Sequence, residues 1–229
     1  MPKPVFLLLL FLSSHLHGQT DSTENSSQKG WAVTLSGALI PIGDAFGIQP
    51  GVEYRFNDRL SLLSEITIMT SPRNGENVYD RHYMRFRSEL RWHFFNDRRR
   101  AFHEYVGFQA AYSFRRFIDS SGYYYEKQDR DSVIFFDKAK LKSPITTFAL
   151  QVGTVIADGR FGVDVFTGFG VRIVHTTPSD VSNPRKDRVW FAPFNFPAAY
   201  NYAGTIAQFH FNAGIRLMWH FYDFKHPRK

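Results

Sequence analysis

From Trp31 onward the sequence alternates between apolar and polar residues in eight successive segments. The clearest segment is YMRFRSELRWHFF, in which charged side chains occupy every second position from Arg85 to Arg91 and, apart from Ser88, apolar side chains lie between them. A period of two is that of a β-strand whose faces meet different surroundings. Eight such segments predict an all-β fold of eight antiparallel strands.

The connections between the segments alternate in length. Those after the second, fourth and sixth segments are short, whereas those after the third, fifth and seventh are long: residues 57–59, 96–100 and 158–160 against about 70–82, 118–143 and 175–203. Short turns at one end and long loops at the other are typical of outer-membrane barrels. The short connection after the first segment, 41–46, is an exception on the long-loop side.

Aromatic side chains concentrate at the short-turn end of the segments. Rings gathered at one level form a girdle at a membrane interface. The sequence predicts that the girdle consists of Trp31, Tyr54, Phe56, Trp92, Phe94, Phe102, Phe161, Trp219 and Phe221.

The polar face carries too many charges for a dry core, where each unpaired ion would cost several kcal/mol. We therefore expect the apolar face to meet lipid and the charged face to line the lumen of an up-and-down transmembrane barrel. Eight strands leave an interior that its own side chains fill. The expected lumen network of ion pairs comprises Glu53, Arg55, Glu65, Arg85, Arg87, Glu89, Arg91, Arg115, Asp164, Arg172 and Arg216. An alternative is a narrow anion pathway, because arginine outnumbers acid in this set.

The N-terminus begins with Lys3, an apolar stretch from Val5 to Leu12 and a small residue at Gly18. This order predicts a secretory signal peptide over 1–18. A flexible periplasmic lead-in over 19–30, the barrel over 31–224 and a basic tail over 225–229 are expected to follow. Export to the cell outer membrane makes nucleic acid an unexpected partner for the net charge of +7.

These features together resemble the small outer-membrane β-barrels of the OmpA/OmpX type and the porin-like families related to them. The last segment, NAGIRLMWHF over 212–221, is similar to the aromatic-ended strand that the barrel-assembly machinery recognises, although the chain continues through YDFKHPRK. The resemblance implies architecture, outer-membrane lipid and lipopolysaccharide as surroundings, and the assembly machinery as a partner during biogenesis. It implies no activity.

Catalysis is not expected. No G-x-S-x-G motif occurs, and His175 near Ser179 and Asp180 lies in a loop opening with Thr-Thr-Pro, which indicates a solvated turn. We expect no cofactor. Pairing residue 95 with 101 would place His93 opposite His103, but two imidazoles make only part of a metal site, so no metal is expected either.

The long loops are the predicted place of function, because binding is commonly carried on loops held by a rigid scaffold. Residues 119–143 keep an alternating pattern, and a hairpin about Arg130 would place Gln109 across from Gln151, Tyr123 opposite Asp137 and Tyr125 opposite Phe135. This hairpin either protrudes or covers the barrel mouth. Candidate binding residues in the loops are Tyr123, Tyr125, Phe135 and Trp190.

The favoured interpretation is a non-enzymatic scaffold whose loops contact an extracellular or envelope protein that the sequence does not identify. Two lysine- and arginine-rich clusters at the outer level are candidate contacts for lipopolysaccharide phosphates: Lys138, Lys140 and Lys142, and Arg185, Lys186 and Arg188. The alternatives are the anion pathway, a structural subunit of a secretion or envelope assembly and, least favoured, a lipid-modifying enzyme.

Overall fold

The computed structural model describes residues 29–40, 45–71, 78–94, 102–126, 129–188 and 201–224. The expected signal peptide, the basic tail, Trp190 and the turn at 96–100 lie outside these residues. No helix in the described part of the chain is long and apolar enough to cross a membrane. The strands are β1 (Gly30–Ile40), β2 (Ala45–Arg55), β3 (Leu60–Ser71), β4 (Val78–His93), β5 (Phe102–Asp119), β6 (Gly122–Glu126), β7 (Asp129–Phe136), β8 (Lys138–Lys142), β9 (Ile145–Ser182), β10 (Arg185–Arg188) and β11 (Gly204–Phe224).

A closed antiparallel ring of eight strand segments forms the body of the molecule, and each of these segments is here called a stave. The long strand β9 supplies two of them, because it turns back at Gly159, whose φ of 59° glycine adopts without strain. Its first half pairs with β5 at Phe102↔Ile156, and its second half pairs with β11 at Trp219↔Phe161. Pairing of β1 with both β2 and β11 closes the ring. The prediction of an all-β fold with eight antiparallel strands is confirmed.

The burial of the side chains is inverted relative to a water-soluble protein. Phe209, Phe211 and Ile215 point outward and are 72%, 65% and 61% exposed, whereas the inward Arg91 and Arg216 are 0% exposed. The alternation follows the period of the strand on every stave, so large apolar side chains cover the outside and polar ones fill the inside. Monomeric soluble proteins rarely expose apolar patches of this extent.

The short-turn end is held by local hydrogen bonds and ringed by aromatic side chains. In the turn after β2, the Asn57 Oδ1 accepts from the backbone N–H of Arg59 and of Leu60 at 2.8 and 2.9 Å. Trp31 packs on Tyr54 with ring centroids 4.5 Å apart, and Tyr54 meets Phe56 edge-on at 5.0 Å. Six other rings of the set point outward at this end: Trp92, Phe94, Phe102, Phe161, Trp219 and Phe221.

Two registers differ from those expected by two residues. Gln109 pairs with Ala149, and the hairpin that continues from β5 pairs Tyr123 with Phe135 and Tyr125 with Val133 rather than with Asp137 and Phe135. His93 pairs with Tyr105, so it is not opposite His103. A two-residue shift keeps each side chain on its face, so alternation cannot distinguish the two registers. The geometry of the turns decides between the two registers, and the turn tips at 95–101 and 127–128 lie outside the described residues.

The long-loop end carries a wall that rises from one side of the ring. β8 continues the stave of β9 above the interruption at Ser143 and Pro144, since Arg116↔Lys142 and Ser113↔Ile145 keep one register. Above it, β6, β7 and β10 form a three-stranded sheet in the order β10-β7-β6. This sheet extends the staves of β5 and β9 beyond the ring.

The hairpin of β6 and β7, here called the hairpin cap, reaches across the opening of the barrel. Tyr125 on β6 accepts a hydrogen bond from the N–H of Ala203 at 3.0 Å, and its ring stacks on that of Tyr202 at 5.1 Å. Ala203 immediately precedes β11, from which β6 is separated in the ring by the staves of β9. A straight hairpin would carry Tyr125 about 30 Å above the rim at about 3.3 Å per residue. The hairpin therefore bends over the mouth instead of protruding.

Candidate functional site

Three guanidinium groups and four carboxylates interlock at the centre of the lumen. Arg91 lies between Glu53, Glu89 and Asp164 at 3.1, 3.0 and 2.7 Å. Arg216 contacts Glu65, Glu89 and Asp164 at 3.1, 3.1 and 2.5 Å. Arg87 joins Glu65 at 2.7 Å and Glu89 at 3.3 Å. Because Glu65 and Asp164 each bridge two arginines and Glu89 bridges all three, these seven side chains form one network, which we call the central network.

Aromatic rings hold the guanidinium groups of the central network in place. The Arg216 guanidinium lies 3.7 Å from the ring centroid of Phe166, and Arg91 lies 4.4 Å from that of Tyr105. The Tyr105 hydroxyl donates to Asp164 Oδ1 at 2.9 Å. Both contacts have cation–π geometry, which contributes most where water is excluded. These two rings were missed in the sequence, although their alternation places them on the inward face.

A layer of amides lies next to the central network. The Asn212 Nδ2 donates to the Gln109 Oε1 at 3.0 Å, and the Gln151 side chain contacts the same oxygen. Gln109 and Gln151 are 0% exposed. Their side chains meet although their backbones are not directly paired. Together with the central network, this layer fills the middle of the barrel.

The remaining predicted lumen arginines lie outside the central network. Arg55 is near the short-turn end and donates to the backbone carbonyls of Asn57 and Asp58 at 3.3 and 2.8 Å. Arg115 donates to the Ser143 hydroxyl at 2.5 Å. Arg172 donates twice to the Gln208 Oε1, at 3.1 and 2.8 Å, and Arg85 is hydrogen-bonded to Tyr83. The structure therefore places Arg87, Arg91 and Arg216 in the central network and the other four predicted arginines outside it.

Histidines gather on the inward face at the short-turn end. His93, His103 and His220 are all buried. The His93 Nε2 is 3.0 Å from the Ser61 hydroxyl, with Glu53 4.0 Å away. Within the described ranges, no group of three or more His, Asp or Glu side chains is arranged to hold a metal ion.

The hairpin cap and the rim beneath it are packed with apolar side chains. Phe117, Leu141 and Val174 point inward at the rim and are almost completely buried, as are Val133 and Phe136 in the cap. Tyr125 is also buried, and burial raises the pKa of its phenol. It is therefore a packing residue rather than a ring presented to a partner.

The other loop residues predicted to bind are more accessible. Tyr123 packs on Tyr125 and Phe135 with centroids 5.8 and 6.0 Å apart, and Phe135 is 37% exposed. Trp190, the remaining member of the set, lies outside the described residues. Tyr202, together with the N–H of Ala203, supplies the contact that holds the cap down.

Gly153 provides the space into which the Tyr105 ring fits. A Cβ at this position would lie 2.5 Å from the Tyr105 hydroxyl oxygen. Gly153→Ala is therefore expected to push the ring from Asp164 and lower the free energy of unfolding by about 1–3 kcal/mol, the usual cost of overpacking. Urea unfolding of the detergent-solubilised barrel measures this decrease in the free energy of unfolding. Adding Tyr105→Leu should remove most of the extra cost; an equal cost in both backgrounds would contradict the fit.

Comparisons with known proteins give one structural similarity. The crystal structure of Neisserial surface protein A is similar at a TM-score of 0.33 and 17% sequence identity, over 82% of this chain and 94% of that chain. No protein-family model and no curated protein matches the sequence.

Proposed function

We propose that this protein is an integral outer-membrane barrel, not an enzyme, that acts as a rigid scaffold for its loops. The observation that carries the proposal is the continuous apolar outer surface around a charged, filled interior. Such a surface is unfavourable in water and favourable in lipid, while the ring leaves no open sheet edge for lipid to contact. Export through the expected signal peptide is part of the proposal.

The filled interior favours a scaffold over the alternative of an anion pathway. Arg91, Glu89, Gln109, Gln151 and Arg216 are fully buried at the same region of the lumen, so no continuous water path crosses it without breaking ion pairs. We expect planar-bilayer recordings of the purified protein to show no stable conductance. Steady, anion-selective channels from the folded protein would favour the pathway instead.

Lipid and lipopolysaccharide are the proposed surroundings. A basic outer patch, formed by Arg116, Lys138, Lys140 and Lys142, lies where β5 and β8 pair, just beyond the outward rings of Tyr112 and Phe114. In this position, at the upper limit of the apolar surface, ammonium and guanidinium groups meet the level of lipid phosphates. The second basic cluster is partly neutralised, since Arg185 pairs with Asp137 at 3.0 Å and Lys186 with Glu126 at 3.1 Å.

A protein partner in the envelope remains part of the proposal, with the accessible side of the cap around Tyr123 and Phe135 as its contact surface. The aromatic-ended β11 supports recognition by the barrel-assembly machinery during biogenesis. The alternative of a structural subunit in a secretion or envelope assembly would use the same surface. Co-purification of a stoichiometric partner would distinguish it from a free-standing scaffold.

The proposal is tested by gel mobility of the membrane fraction with and without boiling. A folded barrel resists detergent and changes its mobility only when boiled, and we expect this shift in the outer-membrane fraction. A soluble periplasmic protein that shows no shift would contradict the proposal, and the same fold would then have to be a soluble barrel.

A further inference from the structure

Positive charge is separated from negative charge along the lumen. Residues 31–40, 45–50, 66–71, 81–88, 110–118, 145–150, 165–176 and 204–215 of the staves contain no Asp or Glu, and Asp80 and Asp119 lie beyond these ranges, at the long-loop ends of β4 and β5. The inward side chains in these ranges include Arg85, Arg172 and His210. The carboxylates of the central network lie deeper and are already engaged by Arg87, Arg91 and Arg216. Between the rim and the central network, the charged side chains of the described lumen are therefore mainly basic.

Three of these basic groups approach one another from different staves. The charged neighbours of His210 on β11 are Arg85 and Arg87 on β4 and Arg172 on β9. Within the described residues, Arg172 donates to the neutral Gln208 oxygen, while Arg85 is bonded to the Tyr83 hydroxyl and has the carboxylate of Glu65 as a charged neighbour. The His210 Nε2 is buried and has no hydrogen-bond partner within the described part of the chain. Among the described residues, the carboxylate near this group is that of Glu65, which already pairs with Arg87 and Arg216, so the group contains more positive than negative charge.

This part of the lumen remains accessible, in contrast to the centre. The inward Arg85, Arg172, Gln208, His210 and Asn212 are half-buried, whereas the inward residues of β11 nearer the short-turn end are buried. The apolar packing under the hairpin cap lies closer to the rim, on β5, β8 and the part of β9 at Val174, two residues beyond Arg172. A small solute entering from the long-loop end would meet the arginines before the central network.

We propose that the outer lumen is a binding site for a small phosphate-type oxyanion, held by Arg85 and Arg172 with a hydrogen bond from His210. Guanidinium groups donate two parallel hydrogen bonds to such an oxyanion, and these charge-assisted bonds are about twice as strong as neutral ones. Coulomb attraction is also stronger inside the barrel than in bulk water. Binding would relieve the mutual repulsion of the basic groups. The inference requires the closed barrel but not conductance or a protein partner.

The test is isothermal titration of the detergent-solubilised, full-length folded protein with inorganic phosphate at low ionic strength. The wild-type protein should give a saturable one-to-one isotherm. Arg172→Gln should weaken binding about tenfold or more, since a hydrogen bond to a charged group contributes about 1.5–3 kcal/mol. Arg85→Gln is the second variant and should do the same. Neither residue belongs to the central network, and the mobility shift on boiling verifies that each variant is folded.

Lys142→Gln is the matched control, because it removes a positive charge at the long-loop end from the outside of the barrel. It should leave phosphate affinity within about twofold of wild type, as expected for a screened, solvent-exposed charge. Absence of saturable binding by the folded wild-type protein would overturn the proposal. So would equal weakening by Lys142→Gln, which would place the phosphate on the basic outer patch with the lipid headgroups. A folded Arg172→Gln or Arg85→Gln variant with wild-type affinity would remove that arginine from the site.

Discussion

Replacing Arg91 by methionine is expected to lower the free energy of unfolding by about 3–5 kcal/mol, the cost of breaking a buried ion pair from one side. The substitution keeps most of the side-chain volume but leaves Glu53 without its arginine, and Glu89 and Asp164 with one fewer. Glu53 is the most affected, because Arg91 is the arginine that contacts it and its next contact is the imidazole of His93 at 4.0 Å. Urea unfolding of the barrel, followed by tryptophan fluorescence and by gel mobility, measures the loss.

A double-mutant cycle separates the ion pair from packing. Glu53→Gln combined with Arg91→Met should cost less than the sum of the two single changes, because the carboxylate that the methionine would strand is no longer charged. The exposed Arg188→Met is the control, with an expected change near zero. If Arg91→Met cost no more than Arg188→Met, the central network would not be the core of this barrel.

Replacing Ile215 by lysine is expected to have the second large effect on the free energy of unfolding, and the size of this effect depends on what surrounds the barrel. Ile215 points outward on β11, four residues from the girdle residue Trp219, and is 61% exposed. A lysine on the lipid face near the bilayer midplane costs a barrel about 2–4 kcal/mol. At an equally exposed position in water, the same change would cost almost nothing. Unfolding of the protein reconstituted in phospholipid vesicles measures the difference.

Asp158→Lys is the matched control for Ile215→Lys. Asp158 is exposed in the turn of β9, beyond the girdle residue Phe161, and a lysine there should leave the free energy of unfolding within about 0.5 kcal/mol of wild type. Equal, small effects of the two substitutions would indicate that the outer face of β11 meets water rather than hydrocarbon.

The number of strands and the face of nearly every side chain could be predicted from the sequence, because the period of two is a local property. Arg85, Arg87, Glu89 and Arg91 illustrate this: each is inward because its neighbours are apolar. Register was not predictable, since a shift of two residues leaves the faces unchanged. For this reason Gln109, Tyr123, Tyr125 and His93 were assigned to the wrong partners.

The grouping of the lumen charges was also beyond the sequence. Alternation places eleven charged residues inside but does not give their heights or their partners across the barrel. Pairs such as Arg216 with Glu65 join staves at distant points of the chain, so closure of the ring has to be known first. The bend of the hairpin cap could not be predicted either, because it depends on the long-range contact of Tyr125 with Tyr202, which no local sequence pattern contains.

The most direct test of the central claim is depth measurement along β11 in vesicles. The chain has no cysteine, so single cysteines at residues 208–215 can each carry one fluorophore. Quencher groups are attached to the lipid acyl chains. We expect quenching to alternate along the strand: strong at the outward positions 209, 211, 213 and 215, and weak at the inward positions 208, 210, 212 and 214. Uniformly weak quenching, with the outward positions accessible to aqueous iodide instead, would contradict a barrel that meets lipid with its apolar face.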